Sequence, residues 1–309
     1  MEHSTHARLP PGVVVLERGW LSSNNVVLRG QDEAAVVDSG YWTHSEQTLA
    51  LVAAAAGPLP VRMLVNTHLH SDHCGGNAAL QSRYPQLQTL IPPGLARAVR
   101  EWDPVALTYE PTGQHCPPFL IQGMLVPGTS VRLGESDWEV HAAPGHDPQS
   151  IVLFEPASRT LISADALWEN GFGVVFPELE GGSAFDEVAA TLDLIERLAP
   201  AVVIPGHGSV FTALGPALEG ARSRLAAYAR NPARHASHAA KVLIKFKLLE
   251  LQRAPLEELL QWTSRARYFQ LVRARWFADQ ESRAWAASLM DDLVRSGAAA
   301  REGDVLINA

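Results

Sequence analysis

Within six residues, His68-Leu69-His70-Ser71-Asp72-His73 offers three imidazoles and one carboxylate. Imidazole nitrogen and carboxylate oxygen are the ligands that suit zinc and similar borderline ions. From residue frequencies alone, H-x-H-x-D-H arises by chance on the order of once in a thousand chains of this length. The spacing is too tight for a helix to aim all four groups at one point. A loop leaving a strand can instead send His68 and His70 to one ion and Asp72 and His73 to its neighbour. Gly75-Gly76 then permits a tight turn into the next helix.

Two further histidines stand directly after predicted strands, in Pro144-Gly145-His146 and Gly206-His207-Gly208, and Asp165 closes another strand. Alone, each is an ordinary loop or turn residue. Together they matter, because strand ends on one edge of a sheet converge in space and the four-ligand loop needs partners. Counting ligands then gives two sites, His68, His70 and His146 for one and Asp72, His73 and His207 for the other. Asp165 would bridge them with one oxygen to each. Each ion keeps room for a shared water, the open position of a catalytic rather than a structural site.

The elements that must position these groups are legible as short runs. Strands are expected at Val13–Leu16, Asn25–Leu28, Ala34–Asp38, Arg62–Asn66 and Gln88–Ile91, with helices at His44–Ala56 and Asn77–Arg83. A second group of strands follows at Ser130–Leu133, Trp138–Ala142, Ser150–Phe154, Thr160–Ser163 and Val202–Pro205. The helix Ala184–Leu198 carries Phe185, Val188, Leu192 and Ile195 at helical spacing. Residues 103–128 and Trp168–Gly182 read as long loops, a length that in a compact domain often means a pocket wall. After Gly215 the pattern becomes helical, at Ala217–Ala229, Ser237–Leu251, Leu256–Trp262 and Arg283–Ser296, and closes on a hairpin at Ala299–Ala309. Three helices and a hairpin predict a small winged-helix-like unit. The expected division is 1–214 for the catalytic domain and 215–309 for the helical one.

Thr67-His68-Leu69-His70-Ser71-Asp72-His73-Cys74-Gly75-Gly76, Pro144-Gly145-His146, Asp165 and Gly206-His207-Gly208, in this order, resemble the metallo-β-lactamase-fold hydrolase superfamily over roughly residues 13–210. The resemblance implies an α/β fold, the four-layer αβ/βα sandwich, with two metal ions at one edge and the same seven ligands. The C-terminal unit also resembles the winged-helix-like extension of one branch, which includes glyoxalase II-like thioesterases and a ribonuclease similar to the human β-lactamase-like protein 2. There are departures. Asp147-Pro148-Gln149-Ser150 follows His146 where many relatives read Thr-x-Gly, and Ala164 stands where Gly is common. Asp165 itself disfavours the lactamases that use Cys at that position. An intact seven-ligand set also sets the chain apart from flavodiiron oxidoreductases and persulfide-oxidising relatives.

The expected chemistry is hydrolysis of a thioester, ester or lactone in a small-molecule substrate, by a hydroxide bridging two zinc ions. Iron and manganese accept the same ligands. Asp72 is the expected catalytic residue, orienting the hydroxide or carrying a proton to the leaving group. Trp168, Phe172 and Phe176 are candidates for the pocket or, equally, for the core. The alternative is a metal-dependent ribonuclease or phosphodiesterase. The formal net charge of −8 argues against a nucleic-acid protein, yet it is uneven. Residues 1–219 hold 10 Lys/Arg against 24 Asp/Glu, a net of −14, and residues 220–309 hold 15 against 9, a net of +6. Lys241, Lys245 and Lys247 fall near one helix face, which reads as a solvated surface or, on the alternative, as phosphate contacts. Two cysteines, one beside the ligands, argue against a disulfide framework. Cys74 reads as packing and His115-Cys116 as an exposed loop pair. His235 and His238 read as a helix face, and His3 and His6 as a frayed terminus. No run of 18 apolar residues and no leader pattern is present, so the expectation is a cytoplasmic protein without membrane contact.

Overall fold

The structure is a computed structural model and describes residues 9–309, so His3 and His6 lie outside the described residues. The first sheet runs in chain order, β1 (Val13–Leu16), β2 (Asn25–Arg29), β3 (Ala34–Val37), β4 (Val61–Val65), β5 (Gln88–Ile91) and β6 (Gly123–Met124). β1 to β3 are antiparallel, and β3 to β6 are parallel. The helices α1 (Ser45–Ala56), α2 (Ser71–Cys74), α3 (Asn77–Arg83), α4 (Ala96–Glu101) and α5 (Tyr109–Thr112) are inserted between its strands. The second sheet holds β7 (Ser130–Leu133), β8 (Ser136–Ala142), β9 (Ile151–Glu155), β10 (Thr160–Ala164) and β11 (Val202–Pro205), with only β10 and β11 parallel. Between β10 and β11 stand α6 (Phe176–Glu180) and α7 (Phe185–Leu198).

Strand alternation explains the layers. Val26, Leu28, Val37 and Val65 of the first sheet meet Val140, Leu153, Ile162 and Ile204 of the second. On the outer face of the first sheet, Val27, Val36 and Leu64 pack with Val52 of α1 and Leu80 of α3. On the outer face of the second, Val152, Leu161 and Val203 pack with Val188, Leu192 and Ile195 of α7 and Leu218 and Leu225 of α8 (Leu214–Arg230). Helix, sheet, sheet, helix is the four-layer sandwich expected from the sequence. Four parallel strand ends, those of β3, β4, β10 and β11, open toward one edge, and all of the metal-ligand candidates follow such ends or the β8–β9 turn.

The C-terminal core is built from α9 (Pro232–Leu251), α10 (Leu256–Arg265), α11 (Arg267–Trp276) and α12 (Ser282–Arg295). A three-stranded sheet of β12 (Arg253–Pro255), β14 (Val305–Asn308) and β13 (Ala299–Glu302) flanks them. Leu243, Leu259, Phe269, Trp285 and Leu289 share this core with Val174 and Leu179 from the β10–β11 connection, so the two regions pack directly together. α6 and α11 do not appear in the sequence reading. The sequence of α11, Arg-Tyr-Phe-Gln-Leu-Val-Arg-Ala-Arg-Trp, is rich in charge, but Tyr268, Phe269 and Val272 form a buried face one turn apart. No helix among the described residues is long and apolar enough to cross a membrane.

Candidate metal centre

β4 delivers Asn66, Thr67 and His68 to the open edge, and the one-turn helix α2 then swings Asp72 and His73 back beneath it. His68 and His73 are fully buried. Two groups of side chains converge. His68, His70 and His146 form one and Asp72, His73, Asp165 and His207 the other, each with ligand atoms lying within 4.8 Å of one another. All seven sequence candidates are therefore brought together. Asp165 faces both groups, with Oδ2 3.4 Å from His146 Nε2 and Oδ1 3.4 Å from His73 Nε2. Ala164, at a strand irregularity with φ of 47°, bends the chain so that Asp165 reaches this position. Gly206 permits the approach of β11, since a Cβ there would collide with Asp165 Oδ1.

Hydrogen bonding sets the tautomers. His146 Nδ1 donates to the Val174 carbonyl at 2.6 Å, which leaves Nε2 as a lone pair aimed inward. Thr67 Oγ1 donates to Asp38 Oδ2 at 2.7 Å, so at 3.2 Å it accepts from His68 Nδ1, and His68 Nε2 is free. His73 Nδ1 donates to the same carboxylate at 2.8 Å, and its buried Nε2 has no hydrogen-bond partner among the described residues. His68 Nε2, His70 Nδ1 and His146 Nε2 approach one another at 3.1 and 2.8 Å. Burial first, and in His146 the neighbouring His70, pushes His70 and His146 down to about 4, so the rings meet as neutral, converging lone pairs. An unpartnered buried nitrogen and three converging lone pairs fit a cation, and nothing else among the described residues uses them.

The second group carries the opposite electrostatics. Burial works against charge on His73 and His207. Asp165, Asp38 and Asp72 outweigh it at His73, and Asp165 and Asp72 at His207, so both rings are pushed up. Metal uptake must displace those protons. Metal affinity is therefore expected to fall as pH is lowered, and competition titrations with a chromophoric chelator at about pH 8 and about pH 6 check this.

Three further residues stand at the site without a role assigned from the sequence. Asp38, directly after β3, reads in the sequence only as the last residue of a strand before Ser39-Gly40. Its carboxylate accepts from the Thr67 amide at 2.9 Å as well as from Thr67 Oγ1 and His73. Asp38→Asn places an amide against His73 Nδ1–H and is expected to weaken metal affinity about 10–100-fold, read by equilibrium dialysis. Asp147, the departure after His146, is buried with Oδ2 3.6 Å from His70 Nε2. Trp20 stacks on His207 with centroids 5.4 Å apart, yet stays 56% exposed.

Aromatic side chains flank the metal groups on both sides. Trp20 and Trp168 stand against His207, and Trp168 Nε1 donates to Asp165 Oδ1 at 3.2 Å. Phe176 lies 4.9 Å from the His70 ring, backed by Tyr268 of α11 at 5.4 Å. Of the three loop aromatics, Trp168 and Phe176 thus border the site. Phe172 instead belongs to the core with Tyr228. Cys116 is also buried, its sulfur 3.9 Å from that of Cys74, whereas His115 is exposed, so the loop pair is only half exposed. Cys74 donates to backbone carbonyls and touches Tyr109, a packing role.

Comparison with known proteins agrees with this geometry. The profile of the Metallo-beta-lactamase superfamily matches residues 18–207. Acyl-coenzyme A thioesterase MBLAC2 of Gallus gallus is 27% identical over 237 residues, covering 69% of this chain and 83% of that protein. A hydroxyacylglutathione hydrolase of Anaeromyxobacter dehalogenans is 31% identical over 215 residues, covering 69% and 72%. The type A flavoprotein fprA of Rhodobacter capsulatus is 28% identical over 214 residues, and the chain spans 47% of its length. The crystal structure of a metallo-beta-lactamase family protein from Thermus thermophilus superposes with a TM-score of 0.58 at 19% identity, over 98% of this chain and all of that one. That likeness shows the fold, including its C-terminal part. The chain belongs to the metallo-β-lactamase superfamily.

Proposed function

We propose that the chain is a binuclear zinc hydrolase that cleaves a thioester, with an ester or lactone as related substrates. The observation that carries this reading is Asp165, whose two oxygens face two separate ligand groups at equal distances of 3.4 Å. His68, His70 and His146 would hold one ion, and Asp72, His73 and His207 the other. When bound, the pair supplies an acidified water and polarises an acyl carbonyl. The remaining work belongs to the chain. Asp72 is ionised, because His73 and His207 outweigh the effect of burial, and its Oδ2 lies 3.1 Å from His207 Nε2. Its side chain remains 14% exposed, so it can take a proton at Oδ2 and pass it to a departing thiolate. Trp20 and Trp168 on one side and Phe176, backed by the buried Tyr268, on the other shed water from the acyl group and offer it an apolar seat.

The thioester preference rests on those walls and on the relatives named as an acyl-coenzyme A thioesterase and a hydroxyacylglutathione hydrolase. In this reading residues 1–214 carry the chemistry, and residues 215–309 contribute Tyr268 to the wall. The ribonuclease alternative leaned on the lysines of α9. Lys245 is instead tied to the Ala298 carbonyl at 2.7 Å and Asn308 Oδ1 at 2.6 Å. Lys247 is bound to Glu250 and lies over Trp262. These two are structural tethers, not groove residues. The test is a panel of thioesters, lactones, phosphodiesters and RNA with metal-analysed protein, with and without chelator. Thioester turnover abolished by chelator and restored by zinc is expected. Turnover surviving complete metal removal, or phosphodiester cleavage alone, would overturn the reading.

A further inference from the structure

α8 and α9 are consecutive helices joined at Asn231, and a cavity of about 710 Å³ opens between them. Where two helices diverge, the facing ridges are normally apolar. Here they are cationic. Arg224 and Tyr228 stand one turn apart on α8, and Arg234, His238 and Lys241 follow at i, i+4 and i+7 on α9. Ser223 adds a hydroxyl, and no acidic side chain lines the cavity. Lys241 has a partner in Asp292 at 3.3 Å. Among the described residues, the guanidinium groups of Arg224 and Arg234 have neither an ion pair nor a hydrogen bond, so two positive charges are left unbalanced.

We infer that the cleft between α8 and α9 is a binding site for a phosphoryl group. Two unbalanced charges match the roughly −1.5 to −2 carried by a phosphate monoester at neutral pH. Two planar guanidinium forks suit its oxygens, which can each accept in pairs. His238, pushed down to about 4 first by burial and then by Arg224, Lys241 and Arg234, lines the cleft as a neutral ring. It lies nearly parallel to Tyr228, at 29° and 6.0 Å between centroids, which gives the cleft a flat organic wall. The cleft leaves room against that wall for an organic group beside the phosphoryl group.

The cleft is connected to the metal centre through residues 171–173. The Arg224 guanidinium lies against Gly171, where a Cβ would meet Nη1 at 2.5 Å. Phe172 packs on Tyr228, and Gly173 closes on His146, where a Cβ would collide with Nδ1. The phosphoryl group can come from the carrier end of the substrate or from a separate phosphorylated compound. The site does not depend on which bond the metal centre cleaves.

The test is calorimetric titration of the metal-loaded full chain with inorganic phosphate at low ionic strength, repeated on Arg224→Ser/Arg234→Ser. Binding in the millimolar class, weakened at least about tenfold in the double variant with metal content unchanged, is expected. If the double variant misfolds, Arg234→Ser alone serves, because Arg234 lies in the first turn of α9 and is exposed. No binding by the parent chain, or binding undiminished in the folded variant, overturns the proposal; the second result would place the phosphate on the metals. Thioesters with and without a phosphate on the thiol separate the two sources. A KM raised about tenfold for the phosphorylated one alone identifies the substrate's own tail. Unchanged KM for both, with phosphate binding lost, identifies a separate ligand.

Discussion

If the centre holds two ions as proposed, Asp165→Ala is expected to strip both, taking metal content from two per molecule to less than one after dialysis. Hydrolysis should fall about a thousandfold or more, since metal polarisation is worth several kcal/mol and each decade of rate is about 1.4 kcal/mol. The expectation follows from position. Oδ2 faces the His146 side and Oδ1 the His73 side, so one substitution removes a ligand from each group. It also removes the anion that holds His73 and His207 up, and the acceptor of Trp168 Nε1. Metal analysis by plasma emission on dialysed protein, with circular dichroism to show that the fold persists, reads the result. A variant that kept one full equivalent of metal would mean that Asp165 serves one ion only. One that kept both would remove it from the site.

The seven candidate ligands were legible because their chemistry is local to the sequence. His68 to His73 announce themselves by type and spacing, and His146, Asp165 and His207 by following strand ends that one sheet edge gathers. The strands β2, β3 and β4 were legible as short runs rich in Val, Ala and Leu, whereas the layers followed only from the resemblance. Asp38 was not legible, because its meaning lies in an acceptor relation to His73 across 35 positions, and a strand-end Asp before Ser-Gly reads equally as a turn. Asp147 was visible only as a departure. Its proximity to His70 depends on how the β8–β9 turn folds over the metal loop. The C-terminal lysines were misleading in the opposite sense. A shared helix face reads as a solvated surface or as phosphate contacts, but in the fold Lys245 is tied to the chain end, Lys247 pairs with Glu250 three residues on in the same helix, and only Lys241 lines the cleft.

Asp72→Ala is expected to give a different pattern, and the contrast tests the division of labour. The His68, His70 and His146 group loses nothing directly, and Asp165 Oδ2 remains beside it. Metal content should therefore fall from two to about one per chain, with turnover reduced about a thousandfold, as expected when a metal and a proton carrier are lost together. Asp72→Asn separates those roles. An amide oxygen can still face the second ion, but it cannot accept the proton that a leaving thiolate needs. The Asn variant is expected to regain metal relative to Ala at saturating zinc while kcat stays low. Full metal content and parent turnover in Asp72→Ala would remove Asp72 from the machinery altogether. Equal recovery of metal and kcat in the Asn variant would leave it a ligand and nothing more, and the proton would then have to travel by Asp165 or by water admitted between Trp20 and Phe176.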